Sequence, residues 1–144
     1  MIEADTIRLL RECDAGVRMG VASIDQVFGE VRSGELKQKL FHSREAHETL
    51  GRELQSRLAR FGDEGKEPNP VAQGMSWLKT EASLGLKHSD RTIADLMTDG
   101  CDMGVKKLSG YLNRYKAADE ASKDLAKRLI SLEDALCSDL REYL

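Results

Sequence analysis

Apolar residues recur at steps of three and four along four long stretches of the chain, the spacing of one face of an α-helix. No stretch alternates between apolar and polar residues as a half-buried strand would. The sequence therefore predicts an all-α protein. In the first stretch, residues 2–31, this face comprises Ile7, Leu10, Asp14, Val17, Val21, Ile24, Phe28 and Val31. In the second stretch, residues 34–61, it comprises Leu36, Leu40, Ser43, His47, Leu50, Leu54 and Leu58.

The second half of the chain predicts two further helices. The first covers residues 89–116, and the last starts near Ser122 and continues to residue 144, with a face made almost wholly of leucines. Between the halves, residues 62–88 contain glycines and both prolines, which predicts a crossover that includes a short helix from about Val71 to Ala82, with Trp77 beside its apolar face. Ser33 precedes a helical stretch and is the residue type that caps helix starts.

The two halves of the chain resemble each other in sequence. The motif CDAGVR begins at Cys13 and CDMGVK begins at Cys101, 88 positions later (from 13 to 101), and the segments that begin at Ser33 and Ser122 match at a similar offset. Such self-similarity indicates a duplicated helical hairpin. We therefore expect one four-helix domain over 1–144, with repeats at 2–61 and 89–144 whose apolar faces pack together.

Two motifs carry a resemblance to a known group of proteins: CDMG at 101–104 and GMSWLK at 74–79. With the paired hairpins and the long crossover, they make the chain resemble the ferritin-like four-helix-bundle superfamily, in particular a bacterial branch of unknown function. The resemblance implies an up-down bundle with one long crossover. In metal-binding members, two helices supply single carboxylates and the other two each supply a Glu-x-x-His motif.

This chain departs from that metal-binding pattern. His47 stands where the resemblance places a histidine, but Arg44 replaces the glutamate before it, and Glu133 has no histidine three residues later. Under the resemblance, the largest ligand set is Asp14, His47, Asp102 and Glu133, one residue per helix, for iron or manganese. A salt bridge between Arg44 and Glu133 is an open alternative, as is a core histidine that only hydrogen-bonds its neighbours.

The other candidate residues are better explained by core packing than by a redox or catalytic role. Cys13 and Cys101 are repeat partners, each followed by a glycine three residues later, which suits close helix contact better than a redox role. Tyr111 and Tyr115 are expected to pack in the core. The chain has no phosphate-binding glycine loop, nucleophile elbow or HExxH motif.

Composition narrows the class of partner. The formal net charge is −3 with 33 % charged residues, whereas nucleic-acid binders usually carry a basic surplus. No apolar run is long enough to cross a bilayer, and three cysteines without a CxxC pair favour a reducing cytoplasm.

These observations predict a cytoplasmic helical protein without catalytic activity or cofactor, which acts through protein–protein contact as a homo-oligomer or with another protein. Oligomerisation is expected because Val27, Ile130 and Leu144 are apolar but lie off the main faces. The alternative is a degenerate or mononuclear metal protein that uses the four ligands named above.

Overall fold

The protein is described here by a computed structural model that covers residues 2–65 and 89–144. The described residues form four long helices, α1 (Ile2–Phe28), α2 (Gly34–Arg60), α3 (Asp90–Arg114) and α4 (Glu120–Leu140). A one-turn 3-10 helix, Arg141–Tyr143, follows α4. No strand occurs in these two ranges, which confirms the all-α prediction for them. The predicted crossover helix and Trp77 lie outside the described residues.

Serine hydroxyls cap two of the helix starts, and the sequence predicts the cap at Ser33. The Ser33 hydroxyl accepts a hydrogen bond from the backbone N–H of Leu36 at the start of α2. The Ser89 hydroxyl accepts one from the N–H of Thr92 at the start of α3. Each bond satisfies an N–H group that the helix itself leaves without a partner.

The start of α4 differs from the prediction by about one half-turn. The helix begins at Glu120, where the carboxylate of Asp119 caps it and accepts a hydrogen bond from the N–H of Ser122 at 2.8 Å. The backbone N–H of Asp119 donates to the hydroxyl of Thr6 at 2.9 Å. This contact ties the start of α4 to the start of α1.

Contacts at the bundle ends fix the helix directions. The turn between α1 and α2 meets the start of α3, where the N–H of Ser33 donates to Asp90 at 2.9 Å. The start of α2 meets the end of α4 through an ion pair of 2.7 Å between Lys39 and Glu142. Together with the contact at Asp119, these place α1 and α4 parallel, and α2 and α3 parallel to each other in the opposite direction. The chain therefore leaves α2 at one end of the bundle and enters α3 at the other.

The buried apolar residues form two layers along the bundle, and they leave a gap between them. The first core layer, at the end with the α1–α2 turn, contains Ile24, Val27, Val31, Leu36, Leu40, Ile93, Ala94, Met97, Cys101, Leu136, Cys137 and Leu140. The second core layer, at the opposite end, contains Leu9, Leu10, Cys13, Val17, Leu50, Leu54, Leu58, Leu108, Ala118, Leu125, Ala126 and Leu129. Between them lie Gly20 of α1, His47 of α2, Gly104 of α3 and Glu133 of α4, one residue from each helix.

The residues from which oligomerisation was expected occupy three different environments. Val27 was expected to lie off the buried face and to support oligomerisation. That expectation was wrong, because Val27 is fully buried in the first core layer. The buried face of α1 is simply wider than the predicted face. Ile130 is half-buried against the second core layer, and only Leu144 is largely exposed, at 56 %.

None of the helices described for residues 2–65 and 89–144 is both long enough and apolar enough to cross a membrane.

Candidate functional site

His47 lies in the gap between the core layers, and both nitrogen atoms of its ring have a partner. The residue is fully buried. Its Nδ1 lies 2.7 Å from the backbone carbonyl oxygen of Ser43, one turn earlier on α2. Its Nε2 lies 3.1 Å from Oε1 of Glu133 on α4. Because a carbonyl oxygen can only accept, the Nδ1 atom must carry a hydrogen.

This geometry places a proton between His47 and Glu133. With Nδ1 protonated, Nε2 either carries a second proton that it donates to the Glu133 carboxylate, or accepts one from the protonated acid. Burial lowers the pKa of His47, but the hydrogen bond and charge of Glu133 and the bond to the Ser43 carbonyl together raise it above the ordinary value. The raised pKa favours the imidazolium form of His47, whose Nε2 then donates to Glu133.

A glycine of α1 makes room for this pair. A Cβ atom on Gly20 would lie 2.9 Å from Cδ2 and Nε2 of the His47 ring, closer than such atoms normally approach. A Cβ atom on Gly104 of α3 would lie 3.6 Å from Cδ of Glu133, which is an ordinary contact. The close approach that requires a glycine is therefore that of α1 to His47.

Cys101 of α3, a member of the first core layer, also contacts the His47–Glu133 pair. Its thiol donates a hydrogen bond to Glu133, and burial followed by the charge of Glu133 raises its pKa. Burial, with smaller contributions from neighbouring acids, raises the pKa of Cys13 to about 12. All three cysteines are buried as free thiols. Since the thiolate is the reactive form, Cys13 and Cys101 are held in their unreactive state.

Asp14 is the second buried acid, and it lies away from the His47–Glu133 pair. Its side chain is 2 % exposed, accepts a hydrogen bond from Nε2 of Gln55 at 2.7 Å, and lies 3.1 Å from Nε of Arg18. The backbone of Gly65, at a φ of +97°, packs directly against this carboxylate, so that a Cβ atom there would overlap Asp14. Asp14 thus anchors the segment that follows α2.

The remaining predicted site residues are engaged elsewhere. Asp102 is exposed and accepts a hydrogen bond from the thiol of Cys137 at 3.2 Å. Arg44 faces α1, where its Nε lies 2.5 Å from Asp25, and it also pairs with Glu48 at 3.1 Å. The alternative of an Arg44–Glu133 salt bridge was therefore wrong.

Of the four predicted metal ligands, the structure brings together only two, His47 and Glu133. In residues 2–65 and 89–144, no three or more histidine, cysteine, aspartate or glutamate side chains are grouped so that they could hold a metal ion. Only His47 and Glu133 thus remain together as candidate ligands for the metal hypothesis. Both ring nitrogen atoms of His47 are already engaged, Nδ1 by the Ser43 carbonyl and Nε2 by Glu133.

An open groove lies on the outer surface between α2 and α4. It has a volume of about 710 Å³ and exposes mainly apolar surface. One end lies beside the ion pair between Arg128 and Glu53, whose closest atoms are 2.6 Å apart. The groove is lined by Ala46, Thr49, Leu50, Asp124, Lys127, Arg128, Ser131 and Leu132.

Three features were not predicted from the sequence. Gln55 as the partner of Asp14, the bond of Cys101 to Glu133, and the groove all depend on how the helices are rotated about their axes. The spacing of apolar residues along each helix gives no signal for that rotation.

Comparison with known proteins finds no match to this chain among protein-family models, curated proteins or solved structures.

Proposed function

We propose that this protein is a non-enzymatic helical bundle that acts through protein–protein contact, first of all by self-association. The observation that carries the proposal is the groove between α2 and α4. Most of the surface that the groove exposes is apolar. A partner that covers the groove removes this surface from water, which the hydrophobic effect favours.

The burial and pairing of His47 and Glu133 support a structural rather than a catalytic role. A general base needs a nitrogen or oxygen atom that can reach a substrate proton. His47 has no exposed surface, and its two nitrogen atoms are engaged by Ser43 and Glu133. A buried, fully paired polar group of this kind instead favours one register of the helices over others.

Two further expectations belong to this proposal. Kinship with ferritin-like bundles is supported by the order of helix directions, with α2 and α3 parallel and connected across the length of the bundle. A reducing, cytoplasmic environment is supported by three cysteines that are all free thiols.

Light scattering and sedimentation across a wide range of protein concentration test self-association. With a chain mass of 16.0 kDa, we expect the average mass to rise toward twice that value as concentration increases. A mass that stays at one chain throughout would contradict the proposal.

Metal analysis separates this function from the metal-binding alternative, which rests on the contact between His47 and Glu133. The purified protein is loaded with iron or manganese, desalted and analysed together with a His47→Ala variant. We expect no stoichiometric ion in either protein. One ion per chain that the variant loses would favour the alternative.

A further inference from the structure

The outer face of α4 carries a lysine and an aspartate placed symmetrically about its middle. Lys127 and Asp134 are both exposed and seven residues apart, which is two helical turns, so they lie on one face about 10 Å apart. Ser131 lies between them on the same face and lines the groove. The ion pairs that α4 makes within the described part of the chain use Glu120, Lys123, Arg128 and Glu133, which leaves Lys127 and Asp134 without one there.

We propose that a second copy of the chain covers the groove, with the two α4 helices antiparallel about a twofold axis beside Ser131. Each Lys127 then faces Asp134 of the other copy. A twofold axis brings together positions that lie at equal distances on either side of it, so that one pairing occurs twice. This inference rests on the proposed self-association and names the surface and the partner.

The side chains near the axis suit a close approach of two helices. Ser131 is small, and the half-buried Ile130 beside it supplies apolar surface. On α2, Ala46 and Thr49 are also small, so the partner helix can settle toward the floor of the groove at Leu50. Burial of this apolar surface supplies the affinity, while the exposed ion pairs chiefly fix register and orientation.

Charge reversal tests the pairing directly. Lys127→Glu or Asp134→Lys alone opposes like charges at both contacts, and we expect each to raise the dissociation constant of the dimer about tenfold in sedimentation equilibrium at low salt. The double variant Lys127→Glu/Asp134→Lys exchanges the charges and should return the constant to within about threefold of the wild type. Lys106→Glu, the same change at an exposed position of α3, is the matched control and should have no effect.

Each outcome has a distinct meaning. Weakening by both single variants and recovery in the double variant supports the twofold contact. If the wild type associates but Lys127→Glu behaves like Lys106→Glu, or if the double variant does not recover, the inference is overturned while self-association stands. If the wild type remains a monomer, the proposed function itself fails.

Discussion

Glu133 and Asp14 are two carboxylates buried in the same bundle, and their surroundings differ. Glu133 lies at mid-bundle, where His47 and Cys101 approach it from two other helices and are themselves buried. Asp14 is paired with Gln55 and with Arg18, whose side chain is 34 % exposed. Both acids satisfy the rule that a buried charge needs a partner.

The difference teaches how a partner's chemistry determines what a buried acid does. Arg18 keeps its charge at all ordinary pH values and can turn toward water. Substitution of Asp14 should therefore cost little stability, because neither Arg18 nor Gln55 is left buried without a partner. His47 titrates near neutral pH and has no contact with water, so the mid-bundle pair is sensitive both to substitution and to pH.

The largest effect is expected from breaking the mid-bundle pair. His47→Leu leaves Glu133 buried without its partner, and we expect it to lower the free energy of unfolding by about 3–5 kcal/mol in urea denaturation. The double variant His47→Leu/Glu133→Leu removes both charges and fills similar volume, so its stability should lie within about 1 kcal/mol of the wild type. Equal losses in the single and double variants would show that the pair is not coupled.

A smaller effect is expected at the glycine that accommodates the imidazole. Gly20→Ala places a methyl group against a ring held on both sides, and we expect a loss of about 2 kcal/mol in the same assay. Gly110→Ala is the matched control, because its methyl group meets no atom within 4 Å and should gain about 0.5–1 kcal/mol through helix propensity. A gain in both variants would contradict the close approach of α1.

The Asp14 cluster should respond less than the mid-bundle pair. Asp14→Ala removes an acceptor, but Gln55 and Arg18 can reach solvent, so we expect a loss of about 1 kcal/mol. Asp102→Ala, its repeat counterpart at an exposed position, should change stability by less than about 0.5 kcal/mol. A loss at Asp14 as large as that for His47→Leu would remove the contrast between the two acids.

The smallest effect is expected from pH, because only the difference between the folded and unfolded pKa of His47 contributes. That pKa is raised in the folded state from 6.5, so the folded protein keeps a proton that the unfolded chain has lost. The stabilisation is complete below about pH 6.5 and is lost as pH rises through the folded pKa. Urea denaturation across this range should show the decline in the wild type and not in the double leucine variant.

The helices were predictable from the sequence because local rules determine them. The spacing of apolar residues located all four helices, and Ser33 marked the start of α2 because a hydroxyl can satisfy a free N–H at that position. The start of α4 was predicted about two residues too late, because no local signal favours Asp119 over Ser122 as the residue at the helix start. The contact of Asp119 with Thr6, 113 positions earlier, is a tertiary one.

The site was only partly predictable because periodicity does not fix the rotation of each helix. His47 and Glu133 were both assigned to the bundle interior, but the sequence left open whether Glu133 meets His47 or Arg44. The structure shows that Arg44 turns toward Asp25 on α1. Asp14 and Asp102 occupy equivalent positions in the two sequence repeats, yet Asp14 is buried and Asp102 is exposed. Equivalent sequence positions therefore do not have equivalent surroundings here.

The most direct test of the mid-bundle pair is the protonation state of the His47 ring, measured by nitrogen-15 NMR over a pH titration. We predict that Nδ1 and Nε2 both carry a proton at pH 6.5 and that the ring loses one only as pH rises above that value. A ring whose Nε2 is unprotonated at pH 6.5, or which titrates below it, would contradict the account.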